Sequence, residues 1–385
     1  MSDKFASLET SLTHGGASAA LDQLAATLRE EKKYHELFES LKLKVRHSLG
    51  LSLLPIESNS DELPEATRNK LEDGLVDACR QVGELLLKDG KVREGWMYLR
   101  PVGDKSAAAQ LIGQIKPDED NTDELIEVLL HEGVDTGRGF ALLLERNGTC
   151  NSITTFDQLM QQRTRKERQA AASCLLNRLY NDLIHNVKAD ITRQAGEQPK
   201  ETTLQGLVVD RDWLFQDGNY HIDTTHLASV VRMARVLEDP AQLRMALDLT
   251  HYGRHLTQQL QYQGDEPFAD QYPSNALYYQ ALLGENIDEA LAYFESKARL
   301  LDPQYNGTAG IETYLELLSR IGRHEQALDA AIELMPGNTP SVAYAPLLMD
   351  LCEKAGNYQK LLDFCRGRGD ELGFAAALVS KKAPA

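Results

Sequence analysis

Apolar residues recur along most of the chain at intervals of three and four. That spacing puts them on one stripe of an α-helix, because 3.6 residues complete each turn. Ile311, Tyr314, Leu315, Leu318 and Ile321 make one such stripe, and Ala327, Leu328, Ala331, Ile332 and Met335 make the next. Between them stands Gly322, which can take the left-handed conformation that closes a last turn. Pro336 and Gly337 stop the second stripe, so the pattern predicts a helical hairpin. Alternation of the strand kind is scarce, and the expected class is all-α.

The same grammar repeats along the chain. Gly284 precedes Ala290, Phe294 and Pro303, Gly322 precedes Ala327, and Gly356 precedes Leu361. Asp89 to Trp96, Glu132 to Gly137, and Glu238-Asp239-Pro240 leading into Ala246 have the same look of a turn followed by a small residue. Lys33 to Phe38 echoes Gly356 to Leu362 without the glycine. Alanine or glycine at a crossing lets two helices approach toward the short end of their usual separation. In the placing of glycine, small residue, aromatic and proline the stretch 274–367 resembles the tetratricopeptide repeat family, with Ala290, Phe294 and Pro303 matching its second helix. The tryptophan and tyrosine of that family's first helix are mostly missing here. The resemblance implies an elongated α-solenoid of stacked hairpins, in which neighbours supply each other's core and leave a concave groove.

The middle of the chain departs from the pattern. From Thr164 to about Arg193 the stripe Leu176, Tyr180, Leu183, Val187 and Ile191 predicts one long amphipathic helix. A polar connection follows, then a short apolar piece from Leu204 to Val209, and then Asp217-Gly218-Asn219, a strong turn signal. Three regions result: helical hairpins over 1–150, a central helical region with an irregular insert over 151–273, and tetratricopeptide-like repeats over 274–385. Glu57 to Glu65 reads as an exposed acidic loop, and the tail after Lys381 as frayed.

Charge narrows the partners. Asp and Glu number 58 against 41 Lys and Arg, a formal charge of −17, which repels nucleic acid and anionic lipid. The cluster Arg163, Arg165, Lys166 and Arg168 has no interleaved aromatics to stack on bases. No run approaches the ~18 apolar residues of a membrane span, and the start Met1 to Phe5 lacks a signal peptide's apolar core. The five cysteines, Cys79, Cys150, Cys174, Cys352 and Cys365, form no C-x-x-C pair and fit a reducing compartment. These features lead us to expect a cytoplasmic protein whose partner is a protein, a peptide or a second copy of the chain.

Two stretches carry candidate chemistry. Tyr220 to His226 holds His221, Asp223 and His226, and downstream His251 and His255 stand one helical turn apart. His221, Asp223, His226 and His251 are a donor set that zinc or iron would accept, with His255 or Asp270 as supporting acid-base groups. The alternative makes Asp223 an N-cap for the stripe Leu227, Val230, Val231, Ala234, and leaves the histidines in loop and packing roles. The second stretch, Tyr262 to Tyr272, alternates aromatics with acids in a long interhelical loop. Tyr262, Phe268 and Tyr272 there are candidates for holding a partner, or for capping the core of the next hairpin. Neither a phosphate-binding loop, a dinucleotide fingerprint, a G-x-S-x-G elbow nor H-E-x-x-H is present, so enzymatic activity stays open.

Overall fold

A computed structural model describes residues 4–53, 63–301, 307–334 and 341–381, the backbone alone for 341–346. Among these residues the chain is helical throughout, with no strand. In order the helices are α1 (Lys4–Glu30), α2 (Tyr34–Ser48), α3 (Glu65–Lys88), α4 (Val92–Leu99), α5 (Lys105–Gly113) and α6 (Thr122–Ile126). There follow α7 (Thr136–Leu159), α8 (Arg165–Ala195), α9 (Leu204–Val208), α10 (Thr224–Met233), α11 (Pro240–His255) and α12 (Gln271–Leu282). The last are α13 (Ile287–Leu300), α14 (Ala309–Arg320), α15 (His324–Leu334), α16 (Ser341–Ala355), α17 (Tyr358–Arg368) and α18 (Glu371–Ser380). Two compact units meet in sequence at Gly148, which breaks the helical path of α7.

In the first unit α1 packs on α2, α2 on α3 and α3 on α4. Ala25, Tyr34, Leu37, Leu41, Ala78, Val82 and Leu86 form their shared core. The crossing of α3 and α4 is as close as the small residues suggest. A Cβ on Gly83 would stand 2.6 Å from Leu99 Cγ, and one on Gly95 would stand 2.6 Å from Leu87 Cδ2. The turn between α1 and α2 needs the same left-handed residue as the glycine turns, and Lys32 supplies it at φ 56.

In the second unit the long helix is α8, opened by a capping box between Thr164 and Glu167 and closed by Gly196. All five residues of its sequence stripe are buried. Toward the C-terminus successive helices pack as neighbours, α12 on α13, α13 on α14, α14 on α15, α15 on α16 and α17 on α18. Gly284, Gly322 and Gly356 all have positive φ, and Ala290, Phe294, Ala327 and Leu361 behind them are buried. Burial of a side chain such as Phe294 contributes about 1.5–3 kcal/mol. Pro303, Met335, Pro336, Gly337, residues 57–62 of the acidic loop and 382–385 of the tail lie outside the described residues.

Candidate functional site

The irregular insert is built around one histidine. After a 3-10 turn over Asp212–Gly218, with Asp217 and Gly218 both at positive φ, the chain turns back and places His221 between α8 and α11. Its Nε2 lies 3.0 Å from Asp190 Oδ2 of α8, and its Nδ1 2.9 Å from Tyr252 Oη of α11. The backbone amide of His221 donates to the same Tyr252 oxygen at 2.9 Å. One neutral arrangement satisfies every atom: the Tyr252 hydroxyl donates to Nδ1 and Nε2–H donates to Asp190. The side chains of His221 and Asp190 are 4% and 6% exposed.

Asp190 is surrounded by donors. Gln194 Nε2 reaches both its oxygens at 3.1 Å, Asn219 Nδ2 reaches Oδ2 at 3.3 Å, and Arg193 closes a tight ion pair. Burial works to raise its carboxyl, but donation from Gln194, His221 and Arg193 outweighs this and holds it below its ordinary value. Burial also pushes the Tyr252 phenol up, so it stays protonated. Asn186 donates to the His221 carbonyl at 2.8 Å, and Phe215 packs edge-on to the His221 ring. An open cavity of about 650 Å3 lies over this cluster, with Asn186, Asp190, Arg193, Tyr220 and His221 in its wall.

The proposed metal ligands do not come together. Asp223 caps α10: its Oδ1 accepts from the amides of Thr225 at 2.9 Å and His226 at 3.1 Å, and from the Thr225 hydroxyl. The Thr225 hydroxyl bond is the main cause holding that carboxyl below its ordinary value. Both ring nitrogens of His221 are taken, and His251 opens onto a different cavity with Arg254 and His255. Among the described residues no three His, Cys, Asp or Glu side chains are grouped to hold a metal ion, so His221, Asp223, His226 and His251 are not such a set. Of the supporting groups, His255 stacks on Phe215 with ring centroids 5.0 Å apart, and Asp270 precedes α12 with its carbonyl bonded to Ser274.

The aromatic loop is also divided. Phe268 and Tyr272 are 3% and 1% exposed, buried in the core rather than offered to a partner. Phe268 packs on Phe294 and Tyr278 and carries the Arg235 guanidinium 3.5 Å over its ring centroid. Tyr272 lies against Gly253. Of the three residues only Tyr262 is at the surface, while Lys297 ties the loop to α13 through Glu266 at 2.8 Å.

A second opening is one that the sequence pattern does not single out. Between α14 and α16 lies a cavity of about 530 Å3 whose apolar wall is Leu315, Leu347 and Leu351. Around it Arg165 pairs with Glu238 and Glu316, both at 2.9 Å, Lys354 pairs with Asp350, and Arg320 donates to the carbonyls of Arg235 and Leu237. Two buried polar atoms on this wall have no hydrogen-bond partner, Arg165 Nη2 and His324 Nδ1. The signal for it in sequence is the pairing of Leu347 with Leu351, one turn apart, beside the Leu315 stripe of the neighbouring hairpin. No protein-family model matches this chain, and neither does any curated protein or solved structure.

Proposed function

We propose that this chain is a helical-repeat binding module of tetratricopeptide-like type, and that the groove between α14 and α16 holds a segment of a protein or peptide partner. The observation that carries the reading is the make-up of that groove: an apolar wall with Leu347 37% exposed, and two buried hydrogen-bonding atoms left unpaired. Buried polar groups are normally satisfied, so unpaired ones in a cavity wall favour an occupant that supplies their partners. The glycine and small-residue spacing of the hairpins supports it independently.

Charge selects the class of partner. Glu238, Glu312, Glu316 and Asp350 line the groove together with Arg165, Arg320 and Lys354, and these cations are already engaged by acids or carbonyls, save for Nη2 of Arg165, which a partner's backbone carbonyl would satisfy. An apolar residue flanked by lysine or arginine therefore complements the groove better than one flanked by acids. Fluorescence anisotropy with labelled Leu/Lys-rich and Leu/Glu-rich peptides tests this against wild type and Leu347→Asp. Binding of the basic peptides that weakens by about tenfold or more in the variant, 1.4 kcal/mol, supports the assignment. No binding of either set, or equal binding by both proteins, overturns it.

A further inference from the structure

The end of α11 sets one fixed positive charge, Arg254, between two imidazoles in an acidic chain, and burial holds the His251 imidazole below its ordinary value. His251, Arg254 and His255 stand at i, i+3 and i+4, a spacing that brings three side chains onto one helix face. Together they line an open cavity of about 290 Å3, apart from both the His221 cluster and the α14–α16 groove. His255 is held in place by its stacking on Phe215, at an interplanar angle of 16°, and Phe215 is itself packed on Tyr252. The acids nearby are spent elsewhere: Asp248 accepts from Tyr180 Oη at 2.8 Å within the core, and Glu285 pairs with Arg244 at 2.7 Å. Among the described residues the side chains of His251, Arg254 and His255 have no hydrogen bond or ion pair.

We propose that His251, Arg254 and His255 form an anion site that takes a small-molecule phosphate monoester. The planar Arg254 guanidinium can donate to two phosphate oxygens at once, and each imidazole adds one N–H donor. Three donors on one face match three oxygens of a tetrahedral group. A divalent metal is the poorer fit, because Arg254 places a fixed positive charge beside the two imidazoles and no third metal ligand joins them. Basic side chains in a last turn also favour the negative end of the helix dipole, which accounts for their location without a ligand. That role changes stability and gives no response to phosphate.

The test follows the histidine ring proton signals of the full chain by NMR during titration at low ionic strength and pH 6. The ligands are glycerol phosphate, inorganic phosphate and, separately, zinc. The proposal expects saturable shifts at His251 and His255 with glycerol phosphate, weakened about tenfold in Arg254→Gln and retained in Arg178→Gln, whose charge pairs with Asp182 on α8 and lies outside the cavity. Equal loss in both variants reduces the effect to general surface charge and overturns the site. Shifts with inorganic phosphate alone overturn the monoester assignment, and shifts with zinc alone overturn the anion assignment. Because Arg254 is exposed, its replacement leaves the core packing intact, which the unchanged remainder of the spectrum verifies.

Discussion

The backbone of Gly253 lies against the ring of Tyr272: a Cβ at position 253 would stand 2.5 Å from Cζ and closer still to Cδ1 and Cε1. Here α11 and α12 approach each other more closely than any side chain permits, with Tyr272 1% exposed. Gly253→Ala therefore destabilises the protein by about 2 kcal/mol through overpacking, although alanine is the better helix former. Tyr272→Phe serves as the contrast. The buried Tyr272 hydroxyl has no hydrogen-bond partner, so its removal leaves stability unchanged or raised. Urea unfolding of both variants checks the pair, and a Gly253→Ala protein as stable as wild type would refute the contact.

The His221 cluster joins four segments, and its loss is costly. His221→Ala takes partners from Asp190 and Tyr252 inside a buried network, and an expected loss of about 1–3 kcal/mol follows. The pH dependence has a definite sign. The Asp190 carboxyl lies below its unfolded value of about 3.9, so its contribution is fully present above that pH and is lost as pH falls through the lower folded value. Asp190→Asn accordingly differs from wild type most at neutral pH and least at about pH 2. Urea midpoints across that range measure it, and a difference independent of pH would be the contrary result.

What the sequence makes legible is local. Helical stripes, the Asp223 cap and the glycine turns depend on residues a few positions apart, and the chain folds as their spacing indicates. The Asp190–His221 pair depends on a partner 31 positions away, which periodicity cannot name. A trace of it exists, since Asp190 falls on the buried face of α8 beside Val187 and Ile191, where a carboxylate needs a reason to be. The aromatic loop misleads for another cause: alternating aromatics and acids describe a core plug and a binding surface equally well, and packing on Gly253 and Phe294 decides it. At the first turn the repeat is hidden because Lys32, not glycine, takes the left-handed position, with its ammonium 3.0 Å from Asp89.

Asp248 behaves oppositely to Asp190. Burial, only partly offset by the Tyr180 hydroxyl, holds its carboxyl above its ordinary value, so ionised Asp248 costs stability at neutral pH. An asparagine side chain at this position would still offer Tyr180 an acceptor without a buried charge. Asp248→Asn is therefore expected to be as stable as wild type or more stable at pH 7. The gap closes as pH falls through the folded value toward the unfolded one near about 3.9, because wild type then binds its proton in the folded state first. Thermal unfolding at neutral and acid pH reads the gap directly, and a large loss at pH 7 would show that the charge itself is needed.

The cysteines are expected to differ in reactivity for the same physical reason. Burial pushes the Cys352 thiol up to about 11 and raises those of Cys79, Cys174 and Cys365 as well, which removes the reactive thiolate. Cys150 is the exposed one of the five. A disulfide reagent added to the native protein at pH 8 is expected to modify Cys150 fast, the half-buried Cys79 and Cys174 more slowly, and the buried Cys352 and Cys365 only on unfolding. Cys150→Ser removes the fast phase and leaves the slow ones. Fast modification of Cys352 or Cys365 in that variant would mean that α16 and α17 open readily, since both thiols are fully buried where these helices meet.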